Sequence, residues 1–207
     1  MTKTKGADGN CASGKNSPLF HKRQLQIVKK AAKLFTKKGY AQTSMREISK
    51  ATGIDISNLY YFIDSKEDIL FRVFEMIHEP EIKLFDNQCI MSIEDPRKQL
   101  RIVINELLNF GSKYGNEILL LYRESKVLPQ KLRKIILERE SNFVGQVEEI
   151  LKKGKEKEVF NFEDASFTAN MIVYELSIYP LRSWNLKKHS IEEFRNLIET
   201  HIMKAVM

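Results

Sequence analysis

The chain has few of the residues that cross-link a fold and none of the segments that would take it into a membrane. Its two cysteines, Cys11 and Cys89, stand far apart without metal-ligand spacing. That excludes a disulfide framework and a zinc site, and leaves both as free thiols. No run of about 18 apolar residues occurs, so no membrane-spanning helix is expected. The first twenty residues, MTKTKGADGNCASGKNSPLF, lack the apolar core of a secretory signal, and a cytoplasmic location with no membrane partner is the expectation.

Catalytic signatures are missing too. There is no Gly-x-Ser-x-Gly elbow and no dinucleotide-binding glycine pattern. Residues 9–16, GNCASGKN, approach a phosphate-binding loop. They put Asn16 where a hydroxyl must hold magnesium, and only eight polar residues precede them, too few for the buried strand that such a loop follows. Glu75 and His78 have the Glu-x-x-His spacing of a metal-binding helix. A di-iron bundle needs two such pairs and two further glutamates, so His78 is expected at a solvated helix end, favoured by the helix dipole. His21, His189 and His201 form no motif. No catalytic residue, metal or cofactor is expected.

A hydrophobic content of 43% is enough to build a core. The net charge of +7 is unevenly placed: residues 1–70 hold 13 Lys and Arg against 6 Asp and Glu, whereas residues 71–207 hold 21 of each sign. The whole excess lies in the first third, which suggests a polyanion partner for that part and another role for the neutral remainder.

Helical periodicity dominates. Residues 1–18 read as a flexible tail. From Lys22, the positions Leu25, Val28, Ala32 and Phe35, widened by Ile27, Ala31 and Leu34, form an apolar stripe that Gly39 ends after Lys37 and Lys38. Ser44 and Glu47 form a capping box for a second helix, which stops at Gly53. Asp55 caps a third, with Ile56, Leu59 and Ile63 inward. Two short helices joined by a glycine-containing turn describe a helix-turn-helix. A fourth helix is expected from Ser65 to about Glu79, before Pro80. Others follow from Asp95 and Pro96, in the strongly apolar NEILLLYRESKVLP, at about 129–155, at 163–182 and at 190–206. The segment 163–182 is apolar on more than one face and requires more than one partner. The fold class is all-α, with about nine helices: an N-terminal helix-turn-helix domain and a C-terminal helical domain.

In DISNLYYF (residues 55–62) the inward placement of Ile56, Leu59 and Ile63 leaves Ser57, Asn58 and Tyr61 outward, as in a helix that enters a major groove. Tyr61 can give its hydroxyl to a phosphate, and Lys66, beside the free amides of the next helix, suits a second one. Thr43 and Ser44 offer a similar helix start. With Arg46, Ile56 and Tyr60, these are the expected contacts to a double-stranded DNA operator.

Residues 22–70 resemble the DNA-binding domain of the tetracycline-repressor (TetR) family. The likeness rests on Phe35 and Gly39, Thr43 to Ile48, Gly53 and Ile54, Leu59 to Tyr61, and Ser65 to Asp68. Phe62 and Ile63 depart from the family's usual His-Phe, and Ser57 from a frequent glycine. The resemblance implies a tail at 1–18, a DNA-binding domain at 19–66 and a ligand-binding and dimerisation domain at 67–207. It implies a homodimer formed by the last two helices, with Phe167, Met171, Phe194, Ile198 and Ile202 as candidate contacts. It further implies a cavity for a small hydrophobic or amphipathic effector, lined by Leu120, Phe143, Val147, Tyr174 and Ile178, in which Arg123 anchors an anionic head group. LLYRESKVLP is similar to regulators that respond to fatty acyl thioesters. Ligand binding in such proteins shifts the fourth helix and alters the spacing of the two recognition helices. A repressor of this kind is the leading reading. A DNA-tethered protein-interaction module without an effector is the alternative, and an all-helical enzyme or carrier is a third.

Overall fold

The computed structural model of the protein describes residues 17–86, 90 and 92–207. The phosphate-loop-like segment, Cys11 and Cys89 lie outside them. Among the described residues there are nine α-helices and no strand. Internal contacts divide the chain into two units, Met1–Ile69 and Leu70–Met207.

The first unit contains α1 (Pro18–Lys38), α2 (Met45–Thr52), α3 (Ile56–Phe62) and the first turn of α4 (Lys66–Asp86). Helix α1 begins earlier than its apolar stripe suggests. Ser17 caps it, accepting from the Phe20 amide, and Pro18 supplies a first-turn residue whose missing N–H costs nothing. Ile27, Val28, Ala31, Ala32 and Phe35 of α1 are buried with Ile48, Leu59 and Ile63. The turns between the helices depend on two glycines. Gly39 has φ of 96° and Gly53 φ of 71°, conformations in which a side chain would be strained.

The second unit contains the rest of α4, then α5 (Pro96–Glu124), a 3₁₀ turn (Ser125–Val127), α6 (Gln130–Glu156), α7 (Ala165–Leu176), α8 (Ile178–Leu186) and α9 (Ile191–Val206). Its core is drawn from α5 (Leu100, Val103, Ile104), α6 (Val147, Ile150, Leu151), α7 (Ala169, Ile172) and α9 (Ile202, Val206).

Three sequence expectations are corrected here. Helix α4 does not stop before Pro80 but carries it internally. An interior proline forfeits a backbone hydrogen bond, at about 3 kcal/mol, yet Ile77 before it and Phe85 after it are both buried, and burying a large apolar side chain returns roughly 1.5–3 kcal/mol each. The segment NEILLLYRE continues α5, with a single non-helical residue at Tyr114 marking the kink. The expected helix at 163–182 is broken at Ser177 into α7 and α8. Pro180 then falls in the first turn of α8, where no helical N–H is required.

Candidate nucleic-acid interface and effector pocket

The start of α2 is a complete capping box. The Glu47 amide donates to Ser44 Oγ at 3.3 Å and the Ser44 amide donates to Glu47 Oε2 at 2.8 Å. The Lys38 ammonium pairs with the same carboxylate. The Lys38 bond first, and the Ser44 amide second, hold the Glu47 carboxyl at about 2, well below the usual carboxylate range. Ser44 is exposed, but its hydroxyl donates to Glu47 at 2.9 Å. Thr43 stands apart from the other expected contacts: it is 1% exposed and its hydroxyl donates to the Gly39 carbonyl at 2.8 Å. It shapes the turn, and its side chain does not face solvent.

Asp55 caps α3 by accepting from the Ser57 and Asn58 amides at 3.1 and 3.4 Å. The Ser57 and Asn58 side chains are left exposed in the first turn, with Arg46 exposed on α2. Tyr60 and Tyr61 are 49% and 50% exposed, and the Tyr61 ring packs edge-on against Phe20 at 5.6 Å. Leu59 and Ile63 are fully buried, whereas Ile56 is half-buried between the two environments.

Lys66 is committed to the protein. Its ammonium donates to the carbonyls of Tyr40 and Thr43, each at 3.1 Å, and lies 4.3 Å from the centre of the Tyr40 ring, whose hydroxyl donates to Glu67 at 3.1 Å. Glu67 is held below its ordinary value chiefly by its own backbone amide, with the Tyr40 hydroxyl contributing. Two similar ties carried no sequence signal. Gln24 Nε2 donates to the Phe62 carbonyl at 2.9 Å, and Lys30 Nζ donates to the Ala51 carbonyl at 3.1 Å. Long side chains of α1 thus satisfy carbonyls at the ends of α2 and α3, where the helices leave them unpaired.

In the second unit, α4 is tied to α6 by two neighbouring polar pairs. Arg139 donates to Glu75 at 3.0 Å, and His78 Nε2 lies 3.3 Å from Glu140 Oε1. His78 is 1% exposed, so it is not the solvated helix end expected from its spacing; the helix runs on past Pro80 and turns His78 onto α6. A space of about 240 Å³ is lined by His78, Ile82, Phe85, Arg139, Asn142 and Phe143, and another of about 220 Å³ by Pro80, Leu84, Leu107, Phe110, Lys113 and Tyr114. A small one of about 30 Å³, lined by residues that include Ile77, Phe110, Glu140, Phe143 and Leu176, shares Phe143 with the first and Leu107 and Phe110 with the second.

Of the residues expected to line a cavity, Phe143 does so twice. Leu120 and Val147 are buried in the core, Ile178 is half-buried and Tyr174 is exposed. Arg123 is exposed and lines none of these spaces. About 100° of rotation per residue carries it to the side opposite buried Leu121. The cation at the larger space is Arg139. Of the expected dimer contacts, Phe167 and Met171 are exposed on α7 at 67% and 41%, joined by Tyr174. Phe194 and Ile202 are buried within their own chain, with Phe194 4.9 Å from the Tyr179 ring, and Ile198 is half-buried. On α9 Phe194 and Ile202 face the chain's own core, and Ile191 and Leu197 face out.

The model for bacterial regulatory proteins of the tetR family matches residues 27–73, which span the helix-turn-helix, and that for the tetracyclin repressor-like C-terminal domain matches residues 94–177. The chain belongs to the TetR family of transcriptional regulators. Among its relatives is a probable helix-turn-helix transcriptional regulator, YttP of Bacillus subtilis, 22% identical over 112 residues; the match spans 54% of each chain, so about half the length of that relative. IcaR of Staphylococcus aureus, the negative transcriptional regulator of the icaADBC biofilm operon, is 25% identical over 175 residues, 82% of this chain and 86% of that one. The fold is shared with AibR, solved in complex with isovaleryl coenzyme A and operator DNA, at a TM-score of 0.75 and 20% identity over 89% of this chain and all of that one. Among the described residues of this TetR-family chain, no helix is long and apolar enough to cross a membrane.

Proposed function

We propose that this TetR-family regulator is a dimeric repressor that binds a palindromic operator and is released by a small hydrophobic or amphipathic molecule. The observation that carries the DNA half of this reading is the first turn of α3, where Asp55 takes the backbone amides and leaves Ser57 and Asn58 free for base edges. The effector half is supported by the spaces beside α4, two of which meet at Phe143. An effector-free interaction module calls for a closed core there. The acyl thioester held by AibR makes a fatty acyl thioester the first effector class to try, with Arg139, not Arg123, as the cation at hand. Filling the space between α4 and α6 strains the Glu75–Arg139 and His78–Glu140 pairs and so shifts α4.

Selection of bound sequences from random duplex DNA tests the reading. A recovered palindrome is the expected result, and only weak, unselective binding would sink it. On the recovered site, Asn58→Ala is expected to cost about 1–3 kcal/mol of discrimination and to leave random-sequence affinity alone. Equal losses on both DNAs would remove Asn58 from the reading surface.

Lys66 gives a second test. Hydrogen bonds from a charged donor contribute roughly 1.5–3 kcal/mol, so Lys66→Ala is expected to loosen the turn before α2 and weaken binding to operator and random duplex alike. Because the ammonium serves two carbonyls, the dependence of log affinity on log salt should keep its slope. A slope shallower by about 0.9 would instead mark a lost phosphate contact.

A further inference from the structure

The outer face of α1 carries a stripe of positive charge. No acidic residue occurs between Asp8 and Glu47, while nine Lys and Arg do. Lys22, Lys29, Lys33 and Lys37 follow one another at spacings of seven, four and four residues, all exposed. At about 100° and 1.5 Å per residue they fall within an arc of about 80° and span about 22 Å of helix. The buried positions Ile27, Ala31 and Phe35 lie on the other side of the helix. The stripe therefore points away from the three-helix core.

Two nearby cations are already employed: Lys38 pairs with Glu47, and Lys30 donates to the Ala51 carbonyl. None of the four stripe lysines has a carboxylate or hydrogen-bond partner among the described residues. A generic solvated helix interleaves its signs, and α4 and α6 do so. Lys83 pairs with Glu79 on α4, and on α6 Lys134 pairs with Glu138 and Lys152 with both Glu148 and Glu149. On α1 every cation three or four residues from another meets a like charge, which destabilises an isolated helix. A bound polyanion removes that repulsion.

We propose that the outer face of α1 is a second phosphate-contact surface, separate from the one that α2 and α3 present, and that Lys22, Lys29, Lys33 and Lys37 hold a nucleic-acid backbone beyond the operator bases. The proposal rests on the reading that the N-terminal unit binds duplex DNA. Its chemistry is indifferent to sequence, because ammonium groups on flexible stems meet phosphates as point charges. The backbone is either the flank of the same duplex or that of a second one.

The test compares the full-length wild type with the variant Lys22→Gln, Lys29→Gln, Lys33→Gln and Lys37→Gln. Glutamine keeps helix propensity close to that of lysine. The control is a variant with the same charge change on the second unit, Lys131→Gln, Lys187→Gln, Lys188→Gln and Lys204→Gln, all exposed positions. Affinity for random-sequence duplex is measured over a range of salt. Loss of four phosphate contacts is expected to make the slope shallower by about 3.6, at 0.9 per contact, with the control near wild type. An unchanged slope, or an equal change in the control, overturns the proposal. Duplexes trimmed to the selected site and duplexes extended beyond it separate the two sources. A difference between variant and wild type confined to extended duplexes indicates the flank, and one that appears only when duplex exceeds protein sites indicates a second molecule. A wild type that binds no duplex overturns this proposal together with the reading it rests on, whereas a wild type that binds with the slope of the variant overturns this proposal alone.

Discussion

Phe167→Glu is expected to convert the proposed dimer to a monomer and to lower operator affinity by roughly 10²–10⁴, the gain that linked sites give over single ones. The reason lies in the two faces of α7. Ala169, Ile172 and Leu176 are buried in the core of their own unit. Phe167, Met171 and Tyr174, four and three residues apart, occupy the other face, exposed at 67%, 41% and 50%. A contiguous exposed apolar face of this kind marks an interaction surface. A second copy is the partner that the proposed palindromic operator calls for, because such a site places two recognition helices about 34 Å apart. A carboxylate placed at the centre of a self-complementary interface meets its own copy near the twofold axis and is desolvated there. Sedimentation velocity at micromolar concentration reads the mass directly. Because Phe167 is exposed in the single chain, the variant should keep its helical circular dichroism. A variant that still sediments as a dimer would place the interface elsewhere.

Gly154→Ala is expected to be strongly destabilising, because among the described glycines it is the one whose added β-carbon meets a buried ring. Gly154 is buried in the last turns of α6, and its carbonyl accepts from the amides of both Val159 and Phe160, so the chain folds straight back over it. A β-carbon built on Gly154 would lie 2.7 Å from Phe160 Cγ and closer still to Cδ2 and Cε2. Phe160 is itself a buried core residue packed with Val147, Ile150 and Leu151, so its ring has no open space to enter. Overpacking of this kind costs about 1–3 kcal/mol, and the upper end is expected here because a ring, not a flexible tip, is in the way. Urea denaturation gives the midpoint shift. Pairing the change with Phe160→Ala should recover part of the loss, and strictly additive losses would mean that the two positions do not interfere.

These residues show where sequence reasoning reached and where it stopped. The N-terminal helices were legible because their signals are local. The Ser44 and Glu47 capping box, the Asp55 cap and the glycines at 39 and 53 act over four residues or fewer, and each forms as its spacing predicts. The sidedness of α3 followed from periodicity alone, with Leu59 and Ile63 in and Ser57 and Asn58 out. Thr43 and Lys66 were assigned outward roles on the same local grounds. The Thr43 hydroxyl turns back to the Gly39 carbonyl four residues away, whereas the partners of Lys66 are distant: Tyr40 and Thr43 are 26 and 23 residues from it.

The second unit was harder to read because several of its helices are apolar on more than one side, and periodicity then cannot say which side faces the chain's own core. Phe194, Ile198 and Ile202 form a clean stripe on α9 that serves the inside, and Phe167 and Met171 on α7 serve the outside. Pro80 carried a local stop signal that the burial of Ile77 and Phe85 overrode. His78 had a motif that suggested an exposed end, and packing against α6 enclosed it.

By itself the sequence determined the all-helical class, the position of the helix-turn-helix and the concentration of positive charge in the first third, because turn chemistry, helical period and net charge are properties of neighbouring residues. Only the tertiary structure decided which of two apolar faces is buried, that Arg139 and not Arg123 stands at a pocket, and that Lys66 is spent on carbonyls while four lysines of α1 are not. Those outcomes depend on which distant groups are brought within hydrogen-bonding or van der Waals reach, and neighbouring positions along the chain do not specify that.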